Sequence, residues 1–206
     1  MKLLLGILQG VLFVAYPAAV YFGLSRLSTR GVGLLLLALL LPGVLRNLWQ
    51  RRGQLKALVS LPVAVGLLIG LAVAFDDERF MLAYPVLVNL VLLQQFAWTL
   101  RGPTSMVERF ARLQVDDLSD GEITYCRRVT AAWSVFFVIN ATASALVALL
   151  GTRAAWALYT GLLSYLILGA LFAVEFTLRK YLFRRYGDGL LDRVFALLFP
   201  PKAALR

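Results

Sequence analysis

The chain is 206 residues long, 61% hydrophobic and only 16% charged, with a net charge of +10. That composition excludes a soluble globular domain. The absence of histidine and a lone Cys126 exclude a histidine general base, an intrachain disulfide and a cysteine metal cluster.

Six apolar stretches, 3–24, 31–48, 57–75, 80–98, 130–150 and 156–178, are each close to the roughly 20 residues that cross a hydrocarbon core. The spacing predicts an all-α, polytopic membrane protein with six transmembrane helices. The first stretch, Lys2 followed by an apolar run and Ala15-Tyr16-Pro17-Ala18-Ala19, imitates a signal peptide. It is read as a span, because its loss would carry the basic tail to the outside.

Orientation follows from the cations. With both termini in the cytoplasm, 17 of the 21 Lys and Arg residues fall inside: Lys2, four in 46–56, five in 101–128 and seven from Arg179 onward. Only Arg26, Arg30, Arg79 and Arg153 fall outside. Short loops retain Lys and Arg on the cytoplasmic side, so N and C termini are predicted inside, in a bacterial inner membrane. Residues 1–178 then form the membrane domain and 179–206 a basic, amphipathic cytoplasmic tail.

The connections carry their own signals. Asp76-Asp77-Glu78-Arg79 reads as a tight external turn. The long cytoplasmic loop 101–129 opens on Gly102-Pro103, which ends the fourth helix. Ser105-Met106-Val107-Glu108 then reads as a capping box. Met106, Phe110 and Leu113 follow at i, i+4, i+7, with Arg109 and Arg112 on another face, which predicts an interfacial helix. A second box, Ser119-Asp120-Gly121-Glu122, predicts a helix running through Arg127 and Arg128 into span five. In the tail, Leu190, Leu191, Val194 and Leu198 make an apolar stripe beside Asp192 and Arg193, stopped by Pro200-Pro201.

Small-residue spacings Gly6/Gly10, Gly66/Gly70 and Ala141/Ala145 are candidate close helix contacts. Ala15-Tyr16-Pro17 recurs as Ala83-Tyr84-Pro85, the one trace of an internal repeat, which between spans one and four would be inverted.

Polar residues inside spans are costly unless paired or solvated, so they are the candidate functional groups. Asn89 and Asn140 lie near the middle of spans four and five, with Ser134 and Ser144 extending a polar strip. They read either as an interhelical hydrogen bond or as the wall of a polar cavity that takes a headgroup or carbonyl. Glu175, the one acid inside a span, precedes Arg179 by four residues, the favourable order for an ion pair; the alternative is a proton-relay or substrate carboxylate. Asp116-Asp117-Leu118-Ser119-Asp120 has the form of a Mg²⁺-diphosphate motif. Its facing second motif is missing, and Asp120 is explained by a helix N-terminus. No metal and no cofactor are predicted.

The stretch Gly102-Pro103-Thr104-Ser105-Met106-Val107-Glu108-Arg109-Phe110-Ala111-Arg112-Leu113, followed by Arg127, Arg128, the run from Thr130 to Phe137 and Asn140, resembles a family of uncharacterised bacterial membrane proteins. Trp156, Tyr159, Gly161, Tyr165 and Glu175 through Arg179 continue the likeness. That family is commonly encoded among genes for aryl polyene (xanthomonadin-like) lipids. More distantly, Pro103, Arg109, Trp133, Phe136, Phe137 and Trp156 are similar to the intracellular septation protein A family. The likeness covers residues 80–180 and marks no established reaction.

The resemblance implies a non-enzymatic accessory of envelope-lipid biosynthesis. Its predicted docking surface for anionic headgroups, acyl carrier protein or acyl-chain enzymes is Arg101, Glu108, Arg109, Arg112, Arg127 and Arg128, continued by Arg179, Lys180, Arg184 and Arg185. A lipid or small-molecule transporter using Asn89, Asn140, Tyr165 and Glu175 is the alternative, and a lipid-modifying transferase the third reading. Pro103, Trp133, Phe136, Phe137 and Trp156 are expected to be structural, with Trp133 at aromatic-belt depth, its indole N–H meeting carbonyls or headgroups. Nucleic acid is not an expected partner; a homo-oligomer is.

Overall fold

The computed structural model describes residues 16–38, 60–113, 115, 117–186 and 189–200, and these residues are all-helical, with no strand among them. Helix α1 covers 16–26 and α2 Thr29–Ala38. They are followed by α3 (Ser60–Phe75), α4 (Arg79–Leu82), α5 (Tyr84–Thr99), α6 (Met106–Ala111) and α7 (Asp120–Leu150). Then come α8 (Arg153–Leu158), a π-turn (Tyr159–Leu163), α9 (Ser164–Phe183) and α10 (Leu190–Leu198).

Among the described residues three helical stretches are long and apolar enough to cross a membrane: Arg79–Thr99, Asp120–Leu150 and Arg153–Phe183. Thr29–Ala38 and Val65–Phe75 are shorter apolar helices. The chain faces its surroundings with large apolar side chains, among them Phe75, Leu149 and Leu166, all more than half exposed. Such a surface is stable against hydrocarbon, not against water. The remaining parts of predicted spans one, two and three, with the Gly6/Gly10 spacing and Asp116, lie outside the described residues.

Two apolar clusters hold the bundle. One gathers Tyr16, Val20 and Leu24 of α1 with Val65, Ile69 and Ala72 of α3, and with Met81 and Trp156. The i, i+4, i+7/i+8 spacing of these residues puts each set on one helix face. The second gathers Val107, Ala111, Cys126, Trp133 and Phe137. Between them α5 and α7 form the broadest helix–helix interface.

Close approach is achieved elsewhere than the glycine spacing predicts. A Cβ at Gly66 or Gly70 would meet nothing within 4 Å, so that pair makes no close helix contact among the described residues. At Gly33, by contrast, a Cβ would lie 2.4 Å from Val73 Cγ2, so α2 and α3 require hydrogen there.

Both capping boxes form the helix starts predicted for them. Glu108 reaches back to the Ser105 N–H at 3.3 Å, and Glu122 to the Ser119 N–H at 2.9 Å. The second box opens a 31-residue helix that runs unbroken from Asp120 through Arg127 and Arg128. The first helix has only six residues, and its buried face is Val107, Glu108 and Ala111, with Phe110 and Leu113 exposed. Thr99 Oγ1 and Thr130 Oγ1 accept from the Met106 and Val107 N–H groups at 2.9 and 3.1 Å, seating α6 on α5 and α7.

Candidate functional site

Asn89 and Asn140 meet. Asn140 Nδ2 donates to Asn89 Oδ1 at 3.0 Å and to Ser164 Oγ at 2.9 Å, while its Oδ1 accepts from the Tyr159 hydroxyl at 2.8 Å. Asn89 Nδ2 donates to Pro85 O at 2.7 Å. This ties α5, α7, the π-turn and α9 together through one buried carboxamide. Each interhelical bond of this type is worth roughly 1 kcal/mol in a membrane.

Beside the network lies a cavity of about 100 Å³, walled by Pro17, Tyr84, Pro85, Asn89, Asn140 and Tyr165, with Phe136, Phe137, Thr160 and Ser164 completing its sides. The two asparagines thus bond each other and also line a cavity. The two Tyr-Pro elements of the candidate repeat converge here. Tyr16 and Tyr84 rings lie 4.2 Å apart, and Pro17 and Pro85 both line the cavity.

The π-turn sets the geometry. Ser164 N–H donates to Tyr159 O, five residues back, in place of the α-helical partner four back. The inserted residue turns Tyr159 and Ser164 toward Asn140. At Gly161 a Cβ would come within 3.3 Å of Pro17 Cβ, so α1 approaches the turn closely. Sequence reasoning did not find Tyr159 or Ser164 as site residues, because a π-turn carries no residue pattern of its own.

Glu175 is not part of the cavity. Its carboxylate takes two bonds from Arg179, at 2.6 and 2.9 Å, the predicted ion pair. It stands ten residues beyond Tyr165, about 15 Å along the helix.

Trp133 is buried against Phe96, Phe136, Phe137 and Phe172, and its indole N–H donates to no group among the described residues. Trp156, buried as well, donates to Leu82 O at 3.0 Å.

The basic face is reorganised by internal pairing. Glu108, expected on the rim, is buried beneath it and binds Arg112 at 2.8 Å. Arg127 donates to the carbonyls of Leu100 and Gly102, where Pro103 follows the end of α5. Lys180 pairs with Asp192, and Arg184 donates to Pro200 O at 3.1 Å. Arg185 spans the Asp117 carboxylate and the Glu122 carboxylate, both at 2.9 Å. The Arg185 guanidinium holds the exposed Asp117 carboxyl below the ordinary aspartate range. Asp117 is therefore committed to an arginine, Asp120 sits in the first turn of α7, and no metal-ligand cluster occurs among the described residues. Arg101 leans on the Trp98 ring at 5.7 Å. Arg109 and Arg128 are exposed and have no hydrogen-bond or ion-pair partner among the described residues.

No protein-family model, curated protein or solved structure matches this chain. Two places stand out among the described residues: a cavity within the bundle and a basic face on which Arg109 and Arg128 are exposed.

Proposed function

We propose that this chain is a six-span protein of the bacterial inner membrane, with both termini cytoplasmic. It catalyses no reaction and docks an acidic acyl carrier or its enzymes at the inner leaflet during envelope-lipid assembly. The pathway, aryl polyene-type lipid synthesis, is drawn from the resemblance. The observation that carries the docking is the pair Arg109 and Arg128. Arg112, Lys180 and Arg185 are paired with carboxylates, whereas the side chains of these two are exposed and unpaired among the described residues. Exposed cations at a membrane surface attract anionic groups by roughly 1 kcal/mol each.

The test is salt-dependent retention of purified acyl carrier protein by the protein in neutral-lipid nanodiscs. Arg109→Glu with Arg128→Glu should lower retention at least about tenfold at low salt, since two attractions become repulsions. Arg112 is unsuitable for reversal, because a glutamate there would face the buried Glu108. Equal retention by wild type and double variant defeats the docking reading.

A second reading, passage of a small molecule through the bundle, draws support from the cavity at Asn89, Asn140 and Tyr165. Glu175 has no place in it.

A further inference from the structure

We infer that the cavity at Asn89 and Asn140 binds the carbonyl group of a neutral, membrane-dissolved molecule. No Asp, Glu, Lys or Arg lines it among the described residues. Within a hydrocarbon layer an ionic ligand needs a counter-charge, so an uncharged wall selects a neutral guest.

The hydrogen-bond inventory then selects an acceptor. Asn140 has both N–H groups engaged, on Asn89 and Ser164, and its oxygen receives Tyr159. Asn89 has given one N–H to Pro85 O and keeps a second. Ser164 accepts from Asn140, which leaves its own O–H to give. Tyr165 lines the cavity, and its hydroxyl has no hydrogen-bond partner among the described residues. Three donors on α5 and α9 thus remain at one small space. A carbonyl oxygen takes two of them and brings no donor that would need an acceptor in return.

Shape and access agree with this guest. About 100 Å³ holds a carbonyl and its first attached carbons, so the body of the molecule stays in lipid. Of the helices that line it, α9 is the least buried. No residue of α9 is buried, and Leu166 and Ile167, next to Ser164 and Tyr165, are exposed on its outer surface. A lipid-borne carbonyl enters between α9 and α5 without crossing an aqueous face. The π-turn that delivers Ser164 is an irregularity that often accompanies function.

The experiment uses the full chain in nanodiscs and ¹⁹F NMR. The probe is 4-fluoroacetophenone, and 4-fluoroethylbenzene, of similar shape but without the oxygen, is the control. The ketone should give a saturable, shifted resonance and the hydrocarbon none at the same concentration. Tyr165→Phe and Ser164→Ala, which keep the fold's apolar contacts, should each weaken ketone binding about fivefold to tenfold. A saturable line for the hydrocarbon as strong as for the ketone would reduce the cavity to an apolar void. Absence of any saturable ketone signal, or binding untouched by both variants, overturns the inference as well. It rests on the cavity alone, so a failed carrier pull-down leaves it standing.

Discussion

Thr130 shows how much one hydroxyl organises. It is fully buried, donates to Cys126 O at 2.8 Å within α7 and accepts the Val107 N–H, so it ties α7 to the first turn of α6. Thr130→Val keeps the shape and removes both bonds, leaving a buried N–H unpaired at about 1–3 kcal/mol. Hydrogen exchange at the Val107 amide should rise by at least tenfold, with exchange in the middle of α7 unchanged. The same reasoning applies at Trp156, whose indole holds Leu82 O where α4 bends into α5. Trp156→Phe should lower thermal stability in detergent, by roughly 1–3 kcal/mol for the orphaned carbonyl and the lost volume. Trp133→Phe leaves no hydrogen bond behind and should cost less. These residue-level roles were only partly legible. The sequence marks Trp133, Phe136, Phe137 and Trp156 as structural. Which indole finds a carbonyl depends on a bend at Ala83 that joins residues 74 positions apart.

At the scale of elements, the capping boxes were readable because their partners lie three residues apart. The Glu175–Arg179 pair was readable for the same local reason. The docking of α10 was not. Its apolar stripe suggests a helix lying in the interface; Phe195 packs on Phe176 and Lys180 pairs with Asp192, while Arg185, in the connection that leads into α10, reaches Asp117 across 68 positions of sequence. Those partners share no pattern that a linear reading can detect. The depressed Asp117 carboxyl gives this docking a pH signature. Its contribution is complete above the unfolded aspartate pKa of about 3.9 and is lost as pH falls through the lower folded value. Spin labels at positions 113 and 193 should therefore hold a narrow distance distribution at neutral pH that broadens only below about pH 4. Asp117→Asn should broaden it at neutral pH in part, because Arg185 keeps Glu122.

For the whole molecule, the proposed topology makes opposite demands on the two ends. Glu78, paired with Arg153, and Asp76, beside Arg30, belong to the external end. Arg109, Arg128 and α10 belong to the cytoplasmic one. Cysteines placed at positions 77 and 193, with the buried Cys126 left silent, decide it. An impermeant maleimide applied to intact spheroplasts should label 77 and not 193; the reverse pattern would invert the orientation. The positive-inside imbalance carries this expectation well because it is a property of the whole chain. The cavity is different, since it exists only where α1, α5, α7 and α9 converge, and no single stretch of sequence announces it.

The π-turn has a consequence for how this site would be lost. In a regular helix of 3.6 residues per turn one added residue would rotate everything beyond it by about 100°, but the wide turn takes up the extra residue locally. Deleting a single residue between Tyr159 and Leu163 would restore an ordinary helix of nearly the same length and hydropathy. The side chains of α9 would keep their facing, yet the widened turn whose two ends, Tyr159 and Ser164, both bond Asn140 would be gone. A chain of the same kind whose sequence is one residue shorter at this point would still have its apolar stretches, but a different interior chemistry. Alignment length at residues 159–163, more than residue identity, is thus the character by which chains sharing this cavity are told from those that merely share the membrane.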